Sequence, residues 1–184
     1  NLTNGTLRGA SLTVTNFNWT DGTLYADANG DKLTIPPTGT LNLVGSAEKA
    51  LFYNAPASKG YGLDNYGTCN WSGACVLRGF NNTVNNHGTV NVAATAGTAQ
   101  FSYYPGYGAP VWNNLGTLSK LTRSNLFQFS SAIVTNSGTI TSAGGTFRLG
   151  TLFVQNAGAT SLSTNFAADG VACTLEVGEQ QVDT

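Results

Sequence analysis

The sequence has few charged residues, no methionine and no long apolar run. Of its 184 residues only 8 are basic and 9 are acidic, a charged fraction of 9%, against roughly 25% in an average soluble domain. With a net charge of −1, the chain lacks the basic surface that nucleic acids or anionic membranes attract. No run of about 18 apolar residues occurs, so no segment is predicted to insert into a membrane. The hydrophobic fraction of 41% is ordinary and is enough to form a core.

In place of charge, the chain is rich in residues that favour turns and strands. It contains 23 Gly, 25 Thr, 20 Asn and 13 Ser, and these residue types disfavour helix interiors. No stretch carries apolar residues at the helical spacing of i, i+3, i+4 and i+7 without a glycine within it. The composition therefore predicts an all-β protein.

A repeated motif divides much of the chain into similar units. Ten of the 23 glycines are followed by Thr, and four of these pairs belong to a longer motif, Asn-x-Gly-Thr. The copies lie at 65–68, 86–89, 114–117 and 136–139, with a degenerate copy at 156–159. Asn and Gly tolerate left-handed backbone, so the motif predicts a corner. The Thr then begins a strand with Val, Leu or Ile on one face and Asn, Ser, Thr or Lys on the other.

The length of this unit favours a solenoid over a sandwich or barrel. Successive motif glycines are about 20 to 28 residues apart, which fits one coil of a parallel β-helix better than a hairpin. A motif that recurs with the same polarity stacks in parallel, and its Asn side chains can bond along the stack. We therefore predict one all-β domain, 1–184, folded as a single-stranded parallel β-helix of about eight irregular coils. Right-handedness is assigned by analogy.

Several segments resemble the parallel β-helical repeat modules of long bacterial surface and secreted proteins, such as adhesins and autotransporter passengers. These segments are 12–24, 33–43 and the motif copies with Trp71, so the resemblance extends from about residue 2 to about residue 162. It implies an extracellular or cell-surface stalk and no agreed catalytic residues. We expect the chain to be a segment of a longer protein, with solenoid ends that meet further segments or other copies.

Two segments depart from the repeat, at 46–60 and 101–112, and function is expected there. The second has five aromatic residues, two Pro and two Gly, so it is not a regular strand throughout. Tyr and Trp side chains stack on sugar rings or anchor a protein partner. The candidate ligand-binding residues are Tyr103, Tyr104, Tyr107 and Trp112. The alternative is a loop that folds back and half buries its rings. The two segments form one surface if both emerge on the same side of the rod.

The three cysteines leave two interpretations open. Cys69 and Cys75 enclose a five-residue loop, which a disulfide would close, leaving Cys173 single. Alternatively, all three are small buried side chains.

A weak calcium-like pattern lies near the start of the chain. Asp27, Asn29 and Asp31 place oxygen ligands at positions 1, 3 and 5 of a binding loop. Glycine stands at position 4, however, and no acid follows at position 12, so a plain turn is the alternative. The only histidine, His87, occupies a motif position that accepts any residue, which indicates an outward-facing corner. We predict no metal and no cofactor.

The acidic residues are too scattered for a typical polysaccharide-cleaving enzyme. None of the nine acids recurs at the coil period, whereas such catalysis needs clustered carboxylates. The leading hypothesis is a non-enzymatic structural module of an extracellular fibre, stalk or adhesin, a stiff rod whose exposed loops contact a partner. The alternative is a glycan-binding module that uses 101–112. The third hypothesis is a β-helical polysaccharide lyase or hydrolase.

Overall fold

A computed structural model describes residues 1–53, 60–122, 124–150, 152–162 and 173–177. All regular structure in these residues is β-strand, and the strands form three parallel sheets that the chain visits in turn. The predicted all-β parallel solenoid is confirmed. Within the same residues there is no helix of the length and apolarity that crossing a membrane requires.

Each coil contributes one strand to each sheet. Sheet 1 contains β1 (Thr6–Gly9), β4 (Gly22–Ala26), β7 (Lys49–Tyr53), β10 (Val76–Gly79), β13 (Thr98–Tyr103), β16 (Leu126–Ser130), β19 (Gly145–Leu149) and β22 (Cys173–Val177). Sheet 2 contains β2 (Leu12–Thr13), β5 (Lys32–Ile35), β8 (Gly62–Asn65), β11 (Thr83–Asn86), β14 (Val111–Asn114), β17 (Ile133–Asn136) and β20 (Leu152–Gln155). Sheet 3 contains β3 (Asn16–Trp19), β6 (Thr40–Leu43), β9 (Thr68–Trp71), β12 (Thr89–Val92), β15 (Thr117–Lys120), β18 (Thr139–Ser142) and β21 (Ala159–Leu162).

With eight strands in sheet 1 and seven in each of the others, the described residues make seven three-strand coils and the first strand of an eighth. The count therefore differs slightly from the predicted eight or so. The handedness stays a prediction.

The core is built from in-register columns of apolar side chains. Most strands of four residues bury every second side chain, as in β12 and β15, because successive side chains point to opposite faces of a strand. In sheet 3 one such column consists of Leu41, Cys69, Val90, Leu118 and Ile140, each no more than 2% exposed. The predicted alternation of apolar and polar faces is confirmed.

The Asn-x-Gly-Thr motif forms the corner between sheets 2 and 3, as predicted. Its Asn ends a strand of sheet 2 and its Thr begins the next strand of sheet 3. The Asn side chain points into the solenoid, where Asn86 and Asn114 are fully buried. The Asn86 amide donates to the Oδ1 of Asn114 at 2.8 Å and to the carbonyl of Thr117 at 2.9 Å, so it uses both hydrogens on the next coil.

The same pattern repeats along an inner asparagine column, which consists of Asn65, Asn86, Asn114 and Asn136 and ends on Gln155. Because each amide bonds the next coil, the column holds successive corners in register. The predicted bonding of Asn side chains along the stack is confirmed.

The corner glycines are required for a reason other than the predicted one. We expected left-handed backbone at these corners, but neither the glycines nor the preceding asparagines of the four motif copies have positive φ. Instead, a Cβ added at Gly116 would lie 2.1 Å from the carbonyl oxygen of Gly88, and one at Gly138 would lie 2.1 Å from that of Gly116. Stacked corners approach so closely that any side chain would collide with the coil before it.

Two lysines lie inside the solenoid at the corner between sheets 3 and 1. Lys49 is 0% and Lys120 1% exposed. The Lys49 ammonium donates to the carbonyls of Thr20 and Ala47, both at 2.9 Å. The Lys120 ammonium donates to three carbonyls, among them that of Thr122 at 2.6 Å. The sequence-based placement of lysine on the polar outer face is therefore wrong for Lys120, whose charge the corner carbonyls stabilise.

Candidate functional site

Five aromatic rings gather on the outer face of sheet 1. We call Tyr25, Phe52, Phe80, Tyr104 and Tyr107 the aromatic strip. Tyr25 and Phe52 are in register on neighbouring strands. Phe80 and Tyr104 directly follow the last paired residues of β10 and β13. The first four rings therefore come from four successive coils, one ring from each.

The ring geometry makes these four residues a column. Ring centroids are 5.3 Å apart between Tyr25 and Phe52, and 4.4 Å apart between Phe52 and Phe80. Phe80 and Tyr104 are stacked, with centroids 4.8 Å apart and ring planes 19° apart. Tyr107 lies edge-on to the column, 5.0 Å from Phe80 and 6.0 Å from Phe52. Phe80 is only 3% exposed as a result, whereas Tyr104 remains 43% exposed.

The loop that carries Tyr104 and Tyr107 is fixed to the preceding coil. The backbone N–H of Tyr104 donates to the carbonyl of Gly79 at 3.2 Å, and that of Asn81 donates to the carbonyl of Gly108 at 3.0 Å. A Cβ added at Gly79 would lie 2.4 Å from the Cβ of Pro110, so glycine is needed for this close approach. The loop therefore folds back over the outer face of sheet 1.

This fold-back joins the two segments that depart from the repeat. Phe52, from the segment 46–60, contacts Tyr107, from the segment 101–112. Phe52 and Tyr107 thus lie on the same side of the solenoid, the outer face of sheet 1, although the segment 101–112 goes on into sheet 2 at Val111. Positions 54–59 are outside the described residues.

Each end of the aromatic strip has an arginine that is paired with an acid. The guanidinium of Arg8 lies 4.3 Å from the centroid of the Tyr25 ring and 2.6 Å from the Asp27 carboxylate. The hydrogen bond and the charge of Asp27 raise the pKa of Arg8. At the other end, Arg78 lies 5.9 Å from the Tyr104 ring centroid and 2.6 Å from the Glu48 carboxylate. The four charged groups cancel, so the strip has no net charge.

An open groove of about 460 Å³ runs beside the aromatic strip. Its lining consists of Thr6, Thr23, Tyr25, Glu48, Ala50, Phe52, Phe80, Tyr104 and Tyr107. Thr6, Thr23 and Ala50 are in register and form a column of small side chains. Tyr25 and Phe52 come two residues later on the same strands, and therefore on the same outer face. We call this site the aromatic groove; its volume lies within the roughly 300–1,000 Å³ of small-molecule sites.

The structure brings together only two of the four predicted ligand-binding residues. Tyr104 and Tyr107 line the groove. Tyr103 is half-buried outside it and accepts a hydrogen bond from Arg78 through its backbone carbonyl, at 3.1 Å.

Trp112, the fourth candidate ligand-binding residue, does not reach the surface: its side chain is 2% exposed and lies in the core. Trp112 is in register with Val84 and Val134, at an inward position of sheet 2. Its ring packs 5.3 Å from those of Phe101 and Phe129. Trp112 is therefore no part of the candidate site.

Sequence reasoning missed Tyr25, Phe80 and Glu48. Tyr25 belongs to a strand without the full Asn-x-Gly-Thr motif, and Phe80 follows a sheet 1 strand outside both departing segments. Alignment of the outward positions of successive coils would have been the only signal for them. Tyr61 and Trp71, which follow the segment 46–60, are buried in the core.

The two cysteines are free, buried thiols. Desolvation and the neighbouring Cys75 raise the pKa of Cys69 to about 12, and burial also raises the pKa of Cys75. Two interpretations were left open, and the structure supports the second for these residues: Cys69 and Cys75 are small core side chains, and no disulfide joins them. The side chain of Cys173 lies outside the described residues.

The calcium-like segment is a turn in this structure. The Asp27 carboxylate is paired with Arg8. One carboxylate oxygen of Asp31 accepts from the backbone N–H groups of Asp27 and Ala28, at 3.0 and 2.8 Å. Across the described part of the chain, no three His, Cys, Asp or Glu side chains are placed to hold a metal ion. Asn29 also takes part in an interaction within the protein. The bonds of Asp31 to the backbone of Asp27 and Ala28 fit the plain-turn alternative.

The predicted outward-facing corner at His87 is confirmed. The His87 side chain is exposed and stacks on Tyr66 of the preceding coil, with ring centroids 4.4 Å apart.

Comparisons with protein-family models, with curated proteins and with solved structures find no match to this chain.

Proposed function

We propose that the chain is a non-enzymatic structural module of an extracellular fibre, stalk or adhesin. The observation that supports this is the continuous coil-to-coil bonding: three parallel ladders and the inner asparagine column join each coil to the next. In such a stack each coil contacts only the coils next to it along the axis, and the whole acts as a stiff rod. The extracellular location rests on the resemblance to surface-protein repeat modules.

Other copies of the chain, or further segments of it, are the proposed partners at the solenoid ends. In the described residues, β1 and β2 each have a neighbouring strand on one side only, whereas the outer edge of β3 is partly covered by Leu2, whose N–H donates to the Asn18 carbonyl at 2.8 Å. Unpaired strand edges of this kind are templates for another strand.

Small-angle scattering and electron microscopy across a concentration series test this proposal. We expect an elongated particle that grows end to end with concentration. Leu7→Lys places a charge on the edge strand β1, where Leu7 is 36% exposed, and should reduce this growth. Leu121→Lys is the matched control, since Leu121 is 52% exposed but is not on that edge. A compact monomer at all concentrations, or equal effects of the two variants, would contradict end-to-end assembly.

A second candidate function, glycan binding, is supported by the aromatic groove. Tyr104 and Tyr107 combine an apolar ring with a polar edge, which suits them to stacking on a sugar. Glu48, Thr6 and Thr23 add groups that can bond sugar hydroxyls. A few polar groups in an otherwise apolar concave surface are typical of small-molecule sites.

Calorimetric titration with a broad oligosaccharide panel tests this candidate. Calorimetry is preferable to tryptophan fluorescence because Trp112 is buried. We expect Tyr104→Ala to weaken binding about tenfold, a loss of roughly 1.4 kcal/mol. Tyr66→Ala is the matched control, because Tyr66 is likewise 43% exposed but lies outside the groove. No heat from any member of the panel, or equal losses in both variants, would sink glycan binding.

We propose that this site does not cleave polysaccharides. Glu48 is the one carboxylate among the described groove residues, and it is paired with Arg78, whereas glycoside hydrolysis generally uses two carboxyl groups. Release of reducing ends in an assay with added Ca²⁺ would overturn this.

A further inference from the structure

We infer that the aromatic groove holds a linear, uncharged glycan segment along the solenoid axis, at two separate subsites. This inference rests on the proposed glycan binding. The near subsite, at the end of the groove toward the fifth coil, consists of Tyr104, Tyr107 and Glu48. The far subsite consists of Thr6, Thr23 and Tyr25.

The direction of the ligand follows from the arrangement of the lining. The small column of Thr6, Thr23 and Ala50 and the aromatic column that contains Tyr25 and Phe52 both run from coil to coil. A ligand that contacts both columns over their length must therefore lie parallel to the axis.

The length of the ligand follows from the coil spacing. The lining begins at Thr6 in the first coil and ends at Tyr104, which follows the sheet 1 strand of the fifth. Four steps between coils, at about 4.8 Å each, make a groove roughly 19 Å long. One sugar ring fills only part of that length, so a monosaccharide leaves one subsite empty.

The charge of the ligand follows from the paired arginines. Arg8 and Arg78 each lie 2.6 Å from a carboxylate, that of Asp27 or Glu48. An acidic sugar would face the negative charge of these carboxylates, which already offset that of the arginines, whereas a neutral one meets no such repulsion. The groove is therefore suited to a neutral glycan.

The two subsites bind sugar by different contacts. Tyr104 is stacked on Phe80 and 43% exposed, so a sugar ring can pack against it. The Tyr25 ring has the guanidinium of Arg8 above it and Phe52 at 5.3 Å. Its edge and hydroxyl are what remain for the ligand, so we expect Tyr25 to act through a hydrogen bond.

Calorimetry with linear neutral gluco-oligosaccharides, from glucose to the hexasaccharide, tests the inference. We expect affinity to rise with length until the groove is filled. Tyr25→Phe keeps the ring packing and removes the hydroxyl. It should weaken binding of the hexasaccharide about fivefold to tenfold and leave the disaccharide unchanged. Tyr104→Ala should weaken both, and Tyr66→Ala neither.

The outcomes separate the two levels of the proposal. Binding that is independent of length, or unchanged for the hexasaccharide by Tyr25→Phe, would overturn the far subsite and leave glycan binding intact. Binding of no oligosaccharide at any length would overturn the glycan-binding function itself. Tighter binding of an oligouronide than of the neutral series would overturn the assignment to an uncharged ligand. A thermal melt of Tyr25→Phe that matches the parent shows that the variant is folded.

Discussion

Replacement of Asn114 by alanine should be among the most destabilising single changes in this protein. Asn114 is fully buried in the middle of the inner asparagine column. Its Oδ1 accepts from the Asn86 amide at 2.8 Å, and its own amide donates to the Oδ1 of Asn136 at 2.7 Å and to the carbonyl of Thr139 at 3.1 Å. The side chain thus bonds the coils on both sides of it.

The magnitude follows from the partners that alanine leaves behind. One amide hydrogen of Asn86 and the carbonyl of Thr139 lose a bond in the dry interior. The Oδ1 of Asn136 keeps only the backbone N–H of Gly138, at 3.2 Å. Each buried polar group without a partner costs about 1–3 kcal/mol, so the two groups that lose a bond outright give an expected loss of about 2–6 kcal/mol. A domain whose unfolding free energy is about 5–15 kcal/mol would lose a large part of it.

The adjacent residue provides a matched control. Asn113 donates to the Oδ1 of Asn85 at 2.8 Å and accepts from the Thr135 hydroxyl at 2.7 Å, so it also bonds two coils. It lies on the outer face and is partly exposed, where water can replace the lost bonds. Asn113→Ala should therefore cost less than about 1 kcal/mol.

Urea unfolding followed by circular dichroism measures both variants. The free energies of unfolding of variant and parent can be compared directly if their slope against urea concentration is the same, since a changed slope indicates a different extent of unfolding. If Asn114→Ala and Asn113→Ala lower the free energy of unfolding by the same amount, burial does not strengthen the bonds of the asparagine column, and the reasoning is wrong.

Three further outcomes test the interior. Gly116→Ala should lower the free energy of unfolding by about 2–3 kcal/mol or more, because the new Cβ would lie 2.1 Å from the preceding corner carbonyl. The control Leu115→Ala, at an exposed position, should change it by no more than about 0.5 kcal/mol. Equal effects of the two variants would argue against the steric explanation. Cys69 and Cys75 should not react with a thiol-specific reagent at pH 8 until the chain unfolds, since burial raises the pKa of both; two thiols missing after unfolding would indicate a disulfide instead. Desolvation raises the pKa of Tyr61 to about 12, above its unfolded value of about 10, so stability should fall as pH rises from about 10. Tyr61→Phe should reduce that fall, and parallel pH profiles would contradict the burial argument.

The coil architecture was predictable because one motif marks the same place in each coil. Asn86 and Asn114 both precede a Gly-Thr pair, so aligning the motif copies aligns the corners and the strands after them. Stacking in register then requires only that identical residues lie above one another. The physical reason for Gly116 was not accessible, because it depends on the 2.1 Å approach of a neighbouring coil and not on the local backbone.

Side-chain placement was predicted well only where chemistry and alternation agree. Lys120 follows Leu118 by two residues, so alternation puts it inside, whereas its charge suggested the outer face. The carbonyls of Thr122 and Ser124 that accept from its ammonium follow it within four residues, whereas that of Gly144 belongs to the next coil. Neither a Thr nor a Ser in a corner indicates from sequence that its carbonyl turns inward. Trp112 illustrates the same limit, since its aromatic neighbourhood in sequence suggested a surface and its register places it in the core.

The aromatic groove is itself a consequence of register. The centroid distance of 5.3 Å between Tyr25 and Phe52 is close to the strand spacing of about 4.8 Å, so the parallel ladder imposes the ring column. A slip of one residue in a single strand would turn its ring into the core and a core residue outward. Because the lining comes from five coils, the groove exists only while all five keep their register. The inner asparagine column joins the third to the sixth coil at the corner between sheets 2 and 3, so it helps to keep three of those five coils in register and thereby helps to maintain the aromatic groove.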